Sequence, residues 1–141
     1  MSESVASLTR PAWLPPTATG VRAVPCGRWF DAVVVDAFDA VCAIGLIQHR
    51  AGPAIEDQTK DTVTWLVPVR TADVWKLPGV DVLGAGREIQ VPPARWKTTR
   101  RWLIEPPVAG DCLTSPELLY ATLTEVLGTR RRSSRGPRHG A

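Results

Sequence analysis

The chain is poor in the side chains that build metal and redox centres. It has three cysteines, Cys26, Cys42 and Cys112, and two histidines. No C-x-x-C pair occurs, so neither a zinc site nor a disulfide framework is expected. No apolar run approaches the roughly 20 residues that cross a bilayer. The opening MSESVASLTRPAW lacks the basic-then-apolar order of a secretory signal, so a cytoplasmic protein with no membrane partner is expected. Lysine is scarce, three against fourteen arginines. Much Ala, Val, Pro and Gly accompanies this bias, which suits a GC-rich genome and argues little about function.

What the chain does have is a core. Its 141 residues are 44% hydrophobic and include six tryptophans. That is enough to bury one domain without staples. The formal charge of +3 is unevenly placed. Residues 129–141 carry Arg130, Arg131, Arg132, Arg135 and Arg138 and no acid. The rest holds twelve basic against fourteen acidic side chains, a balance unlike that of a dedicated nucleic-acid binder. The expected organisation is a flexible arm over 1–19, one domain over 20–128 and a disordered Arg-rich tail over 129–141.

The pattern of elements gives the fold class. Val21–Pro25 reads as a short strand and Cys26-Gly27-Arg28 as a turn. Phe30–Asp36, with its Val33-Val34-Val35 run, predicts a strand buried on both faces. Ala37–Arg50 predicts a helix, with Asp36 as N-cap and Gly52-Pro53 ending it. Ala54–Glu56 and Thr62–Val69 predict strands around a polar turn, and Pro68 marks an exit. Thr71–Lys76 allows one helical turn. Val80–Leu83 and Arg87–Val91 read as strands about the turn Gly84-Ala85-Gly86, with Pro92-Pro93 stopping the second. A basic hairpin and a last strand, Arg101–Ile104, follow. Leu113–Gly128 predicts a helix with Thr114 and Glu117 as a capping box, Leu113 and Leu118 as its staple, an apolar face of Leu119, Leu123 and Val126, and Gly128 at its end. Together these predict an α+β sandwich: a mixed sheet with two main helices packed on it.

Several constellations could carry chemistry. Two-metal phosphoryl transfer needs carboxylates converging on ions about 3.5–4 Å apart. Asp36, Asp39 and Asp81 are the candidates; their structural alternatives are helix-start residues for the first two and a turn residue for the third. Arg95, Trp96, Lys97, Arg100 and Arg101 could bind phosphates and stack a base, or form a solvated hairpin with inward tryptophans. Arg130, Arg131 and Arg132 could hold nucleic acid nonspecifically. Gly84-Ala85-Gly86 matches no phosphate-loop fingerprint and reads as a hairpin turn. His49 and His139 are poorly placed for a nucleophilic triad. Cys42, on an apolar helix, reads as a small core residue.

Gly79–Pro93, GVDVLGAGREIQVPP, resembles the third motif of the bifunctional primase–polymerase N-terminal domain, in which an Asp leads into a Gly-rich turn, a strand and a Pro-Pro exit. Phe30–Asp39, FDAVVVDAFD, is similar to the first motif, and TVTWLVPV stands where the second lies. RWLIEPP and the LTSPELL helix suit the later part of that domain. The resemblance spans about residues 28–128 and is nearest to short stand-alone relatives from actinobacteria. It implies a sandwich around an RRM-like sheet and metal-dependent nucleotidyl transfer on DNA. Residue by residue, Asp36 takes the first-motif acid and Asp81 the third-motif Asp, the pair that would hold Mg or Mn in an active enzyme. Phe38 stands where the second acid belongs, with Asp39 one position late. The Ser-x-His of the second motif has no counterpart.

Three functions are therefore in view. The first is a degenerate, catalytically inactive domain serving as a DNA-related binding or regulatory module, with no cofactor. The second is an active nucleotidyltransferase using Asp36, Asp39 and Asp81 with DNA or nucleotides. The third is a protein-interaction module unrelated to nucleic acid. The sequence specifies no oligomeric state.

Overall fold

The computed structural model describes residues 11–106 and 113–140; side chains are described as far as Thr129, His49 excepted. Ten elements organise the domain. They are β1 (Arg22–Pro25), β2 (Asp31–Asp36), α1 (Ala37–Ile47), β3 (Ala54–Asp57), β4 (Thr62–Val67), α2 (Thr71–Val74), β5 (Asp81–Leu83), β6 (Glu88–Val91), β7 (Arg100–Ile104) and α3 (Pro116–Gly140). Short 3₁₀ turns add Thr17–Thr19 and Gln48–Arg50.

The main sheet has five strands in the order β5-β2-β4-β3-β7, and β1 pairs with β6 in a separate two-stranded sheet. The run β2-α1-β3-β4-α2-β5 is a split βαβ unit in which β2 and β4 lie inside and β5 and β3 flank them. This is the RRM-like order. The α+β sandwich is as expected, but the sheet is not mixed: every described pairing is antiparallel. The reason is the tight turn between β3 and β4, with α1 and α2 each returning the chain across the sheet. In that β3–β4 turn the Asp57 carboxylate accepts from the Thr59 and Lys60 backbone N–H groups, and Asp61 adopts φ 57°, a conformation that Asp tolerates better than most residues.

Alternation along β2 sorts the two faces. Val33 and Val35 join Val63, Trp65 and Val67 beneath α1 and α3, where Ala40, Ala43, Ile47, Leu119 and Leu123 complete the main core. Ala32, with Leu66 and Ile55, faces the other way, under β1, β6 and the N-terminal segment. Trp13 is buried there, edge-on to Phe30, so from residue 11 onward the arm is docked; residues 1–10 lie outside those described.

Three local expectations are corrected. β5 and β6 are not a hairpin, because β5 pairs with β2 and β6 with β1. Gly86 does supply a positive φ of 92°, and Arg87 N–H donates to Gly84 O at 3.1 Å, but the turn passes the chain from one sheet to the other. Likewise residues 95–99 form a connector rather than a hairpin, and β7 pairs with β3.

The cap of α3 is Ser115, not Thr114. The Ser115 Oγ accepts from Leu118 N–H at 3.4 Å, with Pro116 as first helical residue, a position where a missing N–H costs nothing. Thr114 is taken by tertiary contacts: its buried hydroxyl accepts from Gly52 N–H at 2.9 Å, and its own N–H donates to Leu66 O at 3.0 Å. At its other end α3 passes Gly128, and its backbone is helical to Gly140.

Candidate functional site

The three candidate metal acids do not gather on one face: by alternation Asp36 and Asp81 share the face away from the helices, and Asp39 lies on the helix side. Asp36 ends β2 and is spent as the N-cap of α1, its Oδ2 accepting from Phe38 N–H at 3.2 Å. Asp39, one turn on, is buried and lines the groove between α1 and α3. Those helices cover the Val33/Val35 face of the sheet. Asp81 is exposed on the edge strand β5, directly opposite Val34. Val34 points away from Val33 and Val35, so Asp81 belongs to the opposite face from the helices. Among the described residues no three His, Cys, Asp or Glu side chains come together as a metal site.

The register lines another carboxylate, Asp57, up with Asp36 two strands away. Asp36 faces Thr62 on β4, Thr62 faces Asp57 on β3, and Asp57 faces Arg100 on β7. Asp57 is 5% exposed and bonds the Arg100 guanidinium at 2.6 Å. Burial alone would raise its carboxyl, but the Thr59 hydrogen bonds, the Arg100 charge and Lys60 N–H together outweigh this and hold it below its usual value.

That pairing decides the fate of the basic stretch. Arg100 is committed to Asp57, and Arg101 Nε bonds Glu56 at 3.1 Å. Trp102 is buried, its indole N–H donating to Pro92 O at 2.8 Å. Trp96 is half-buried, its ring 3.8 Å from the Cβ position of Gly20. Arg95 and Lys97 remain exposed; the Arg95 backbone N–H donates to Glu105. The tryptophans thus pack inward and the arginines of β7 are matched by acids of β3. The side chains of Arg130, Arg131, Arg132 and both histidines lie outside those described.

Two features escaped the sequence. The first is the outer face of α1. Phe38, Val41 and Leu46 are 66%, 60% and 54% exposed, and Cys42, expected in the core, is exposed among them. The helix sequence AFDAVCAIGLI is apolar nearly all round, which usually means burial on every side; here one side faces the main core and the other is open. A cleft of about 600 Å³ runs alongside, between this face and Glu125 and Val126 of α3. The second feature is Asp31, the first residue of β2, which is 1% exposed. Its Oδ2 accepts from Ala72 N–H at 3.0 Å, while its Oδ1 is buried without a hydrogen-bond partner. The signal was an acid heading an otherwise apolar strand, obscured by the second acid at the strand's other end.

No known protein family, curated protein or solved structure matches the chain.

Proposed function

We propose that the chain is a catalytically silent domain of primase–polymerase-like build that works as a DNA-related binding or regulatory module. The observation that carries this reading is the separation of Asp39 from Asp81, which sit on opposite sides of the sheet. Two-metal chemistry needs its acids on one side of one cleft. Asp36 is additionally tied to Phe38 N–H. The RRM-like strand order and the Asp81–Gly84 stretch support the architectural part of the proposal. Within the basic stretch Arg95 and Lys97 are left for phosphate, with Arg130, Arg131 and Arg132 beyond them. The test is nucleotide incorporation on primed and unprimed templates with Mg²⁺ or Mn²⁺. Background incorporation is expected. Templated synthesis that Asp81→Asn abolishes overturns the reading and restores the nucleotidyltransferase.

A protein-docking role is the second reading, favoured by the open apolar face of α1. Its occupant is a second copy of this chain. Two α1 helices packed antiparallel bring the exposed Asp36 end of each against the exposed Arg50 end of the other, with opposed dipoles and the small residues Cys42 and Gly45 near the twofold axis. Sedimentation velocity is expected to show a concentration-dependent dimer that Val41→Glu abolishes. A monomer at every concentration sinks this assignment without touching the first reading.

A further inference from the structure

We propose that the cleft over Asp31 is a binding site for an organic cation, an ammonium or guanidinium group. The cleft encloses about 320 Å³ and is lined by Gly27, Asp31, Val69, Arg70, Asp73 and Ala85. It is assembled from three turns that meet closely. A Cβ on Gly27 would lie 2.8 Å from the Ala85 Cα, and one on Gly84 would lie 2.8 Å from the Ala72 Cβ and 3.7 Å from Asp31 Oδ2. Gly27 and Gly86 also hold φ values of 90° and 92°. The Gly84-Ala85-Gly86 turn, too short for a phosphate loop, thus acquires a role: it walls a carboxylate.

The carboxylate is the second, independent observation. Asp31 is almost wholly buried, one oxygen is satisfied by Ala72 N–H, and the other has no partner. A buried acceptor left open is among the costliest features a fold can keep, and an ionised one more so. The groups around it do not supply the missing donor. Among the described residues neither Asp31 nor Asp73 forms an ion pair, and Arg70 on the same wall bonds neither. With two acids and one arginine the wall carries a net negative charge. A cationic N–H donor satisfies the open oxygen and the charge at once, as a charge-assisted hydrogen bond. The same field acts on Cys26 nearby: burial first, then the Asp31 charge, pushes its thiol up to about 11 against the opposing pull of Arg87.

The cation could be a free amine or the side chain of a lysine or arginine on a peptide. These sources share the chemistry, and the experiment separates them. Backbone amide spectra of the ¹⁵N-labelled full chain are recorded while titrating ethylammonium, a peptide acetylated at its N-terminus and carrying one unmodified lysine, or acetate. The amides of Ala72 and Ala85 are expected to shift saturably with a cation and not with acetate. Ethylammonium alone acting indicates a small amine, and stronger binding of the peptide indicates a protein source. Asp31→Asn is expected to weaken binding at least about tenfold, the loss of one charge-assisted hydrogen bond. Should Asp31→Asn fail to fold, Ala85→Leu narrows the cleft from its exposed rim and is expected to weaken binding likewise. Absence of saturable shifts with either cation, or equal shifts in the variants, overturns the proposal and leaves Asp31 Oδ1 as a water-bound structural acceptor.

Discussion

Asp57 and Arg100 face each other across β3 and β7 and are joined by a 2.6 Å bond between Oδ2 and Nη2. The Asp57 Oδ1 is simultaneously filled by Thr59 and Lys60. The carboxyl is held below its ordinary value of 3.8. A folded value below the unfolded one adds stability that is complete above the unfolded value and lost as pH falls through the folded one. Asp57→Asn is therefore expected to be less stable than the parent at pH 7, by about 1–3 kcal/mol, the range for a hydrogen-bonded charge. Urea unfolding at pH 7 and again well below pH 3.8 checks this: the gap between the two proteins narrows in acid. A gap that is unchanged with pH shows that the charge contributes nothing.

Trp13 closes the second core against Phe30 and Trp102, with ring centroids 5.4 and 5.9 Å away. Trp13→Ala is expected to cost about 3–5 kcal/mol, as for other buried large-to-small changes. The readout is the urea midpoint together with near-ultraviolet circular dichroism. A loss under 1 kcal/mol would mean the N-terminal segment is a loose cover rather than part of the core.

Asp36 serves α1 as a cap, and its variants separate that role from catalysis. Asp36→Ala is expected to lower stability by about 1 kcal/mol, while Asp36→Asn, which can still accept from Phe38 N–H, changes it by a few tenths. Thermal melts of both variants decide the matter; equal losses would mean that the charge, and not the cap, is what matters.

The cysteines should differ sharply in reactivity. Cys42 is exposed, whereas Cys26 is buried with a thiol raised to about 11. In a Cys112→Ser background at pH 8, maleimide is expected to label Cys42 in the native protein and Cys26 only after unfolding, because the thiolate is the reactive form. Mass spectrometry of the peptides reads this directly. Rapid native labelling of Cys26 would contradict its burial.

Much of the fold was legible because it rests on local signals. The Val33–Val35 run, the cap at Asp36, the β-branched strand ending at Pro68 and the face of Leu119, Leu123 and Val126 all take the form expected. What failed was pairing. Gly84–Gly86 carries the chemistry of a turn, but turn chemistry does not say whether the flanking strands bond each other or different partners. The cap of α3 failed for a related reason: Thr114 and Ser115 are equivalent locally, and only the distant Gly52 and Leu66 claim the former. Of the candidate site, the sequence identified acids and arginines but could not see which acid meets which arginine. The Asp57–Arg100 and Glu56–Arg101 pairs arise from a β3–β7 register set across more than forty residues.

The chain crosses between the two sheets repeatedly, from β1 to β2, from β5 to β6, and from β6 to β7. Neither sheet is made of one continuous piece of chain, so neither can be excised or melt by itself. Pulling β6 from β1 tugs on the turn over Asp31 and, through residues 92–99, on the edge strand β7. The domain should thus come apart as one cooperative unit, with circular dichroism and tryptophan fluorescence reporting the same midpoint. Gene fragments that divide the domain near residue 86 should each express as unfolded chain.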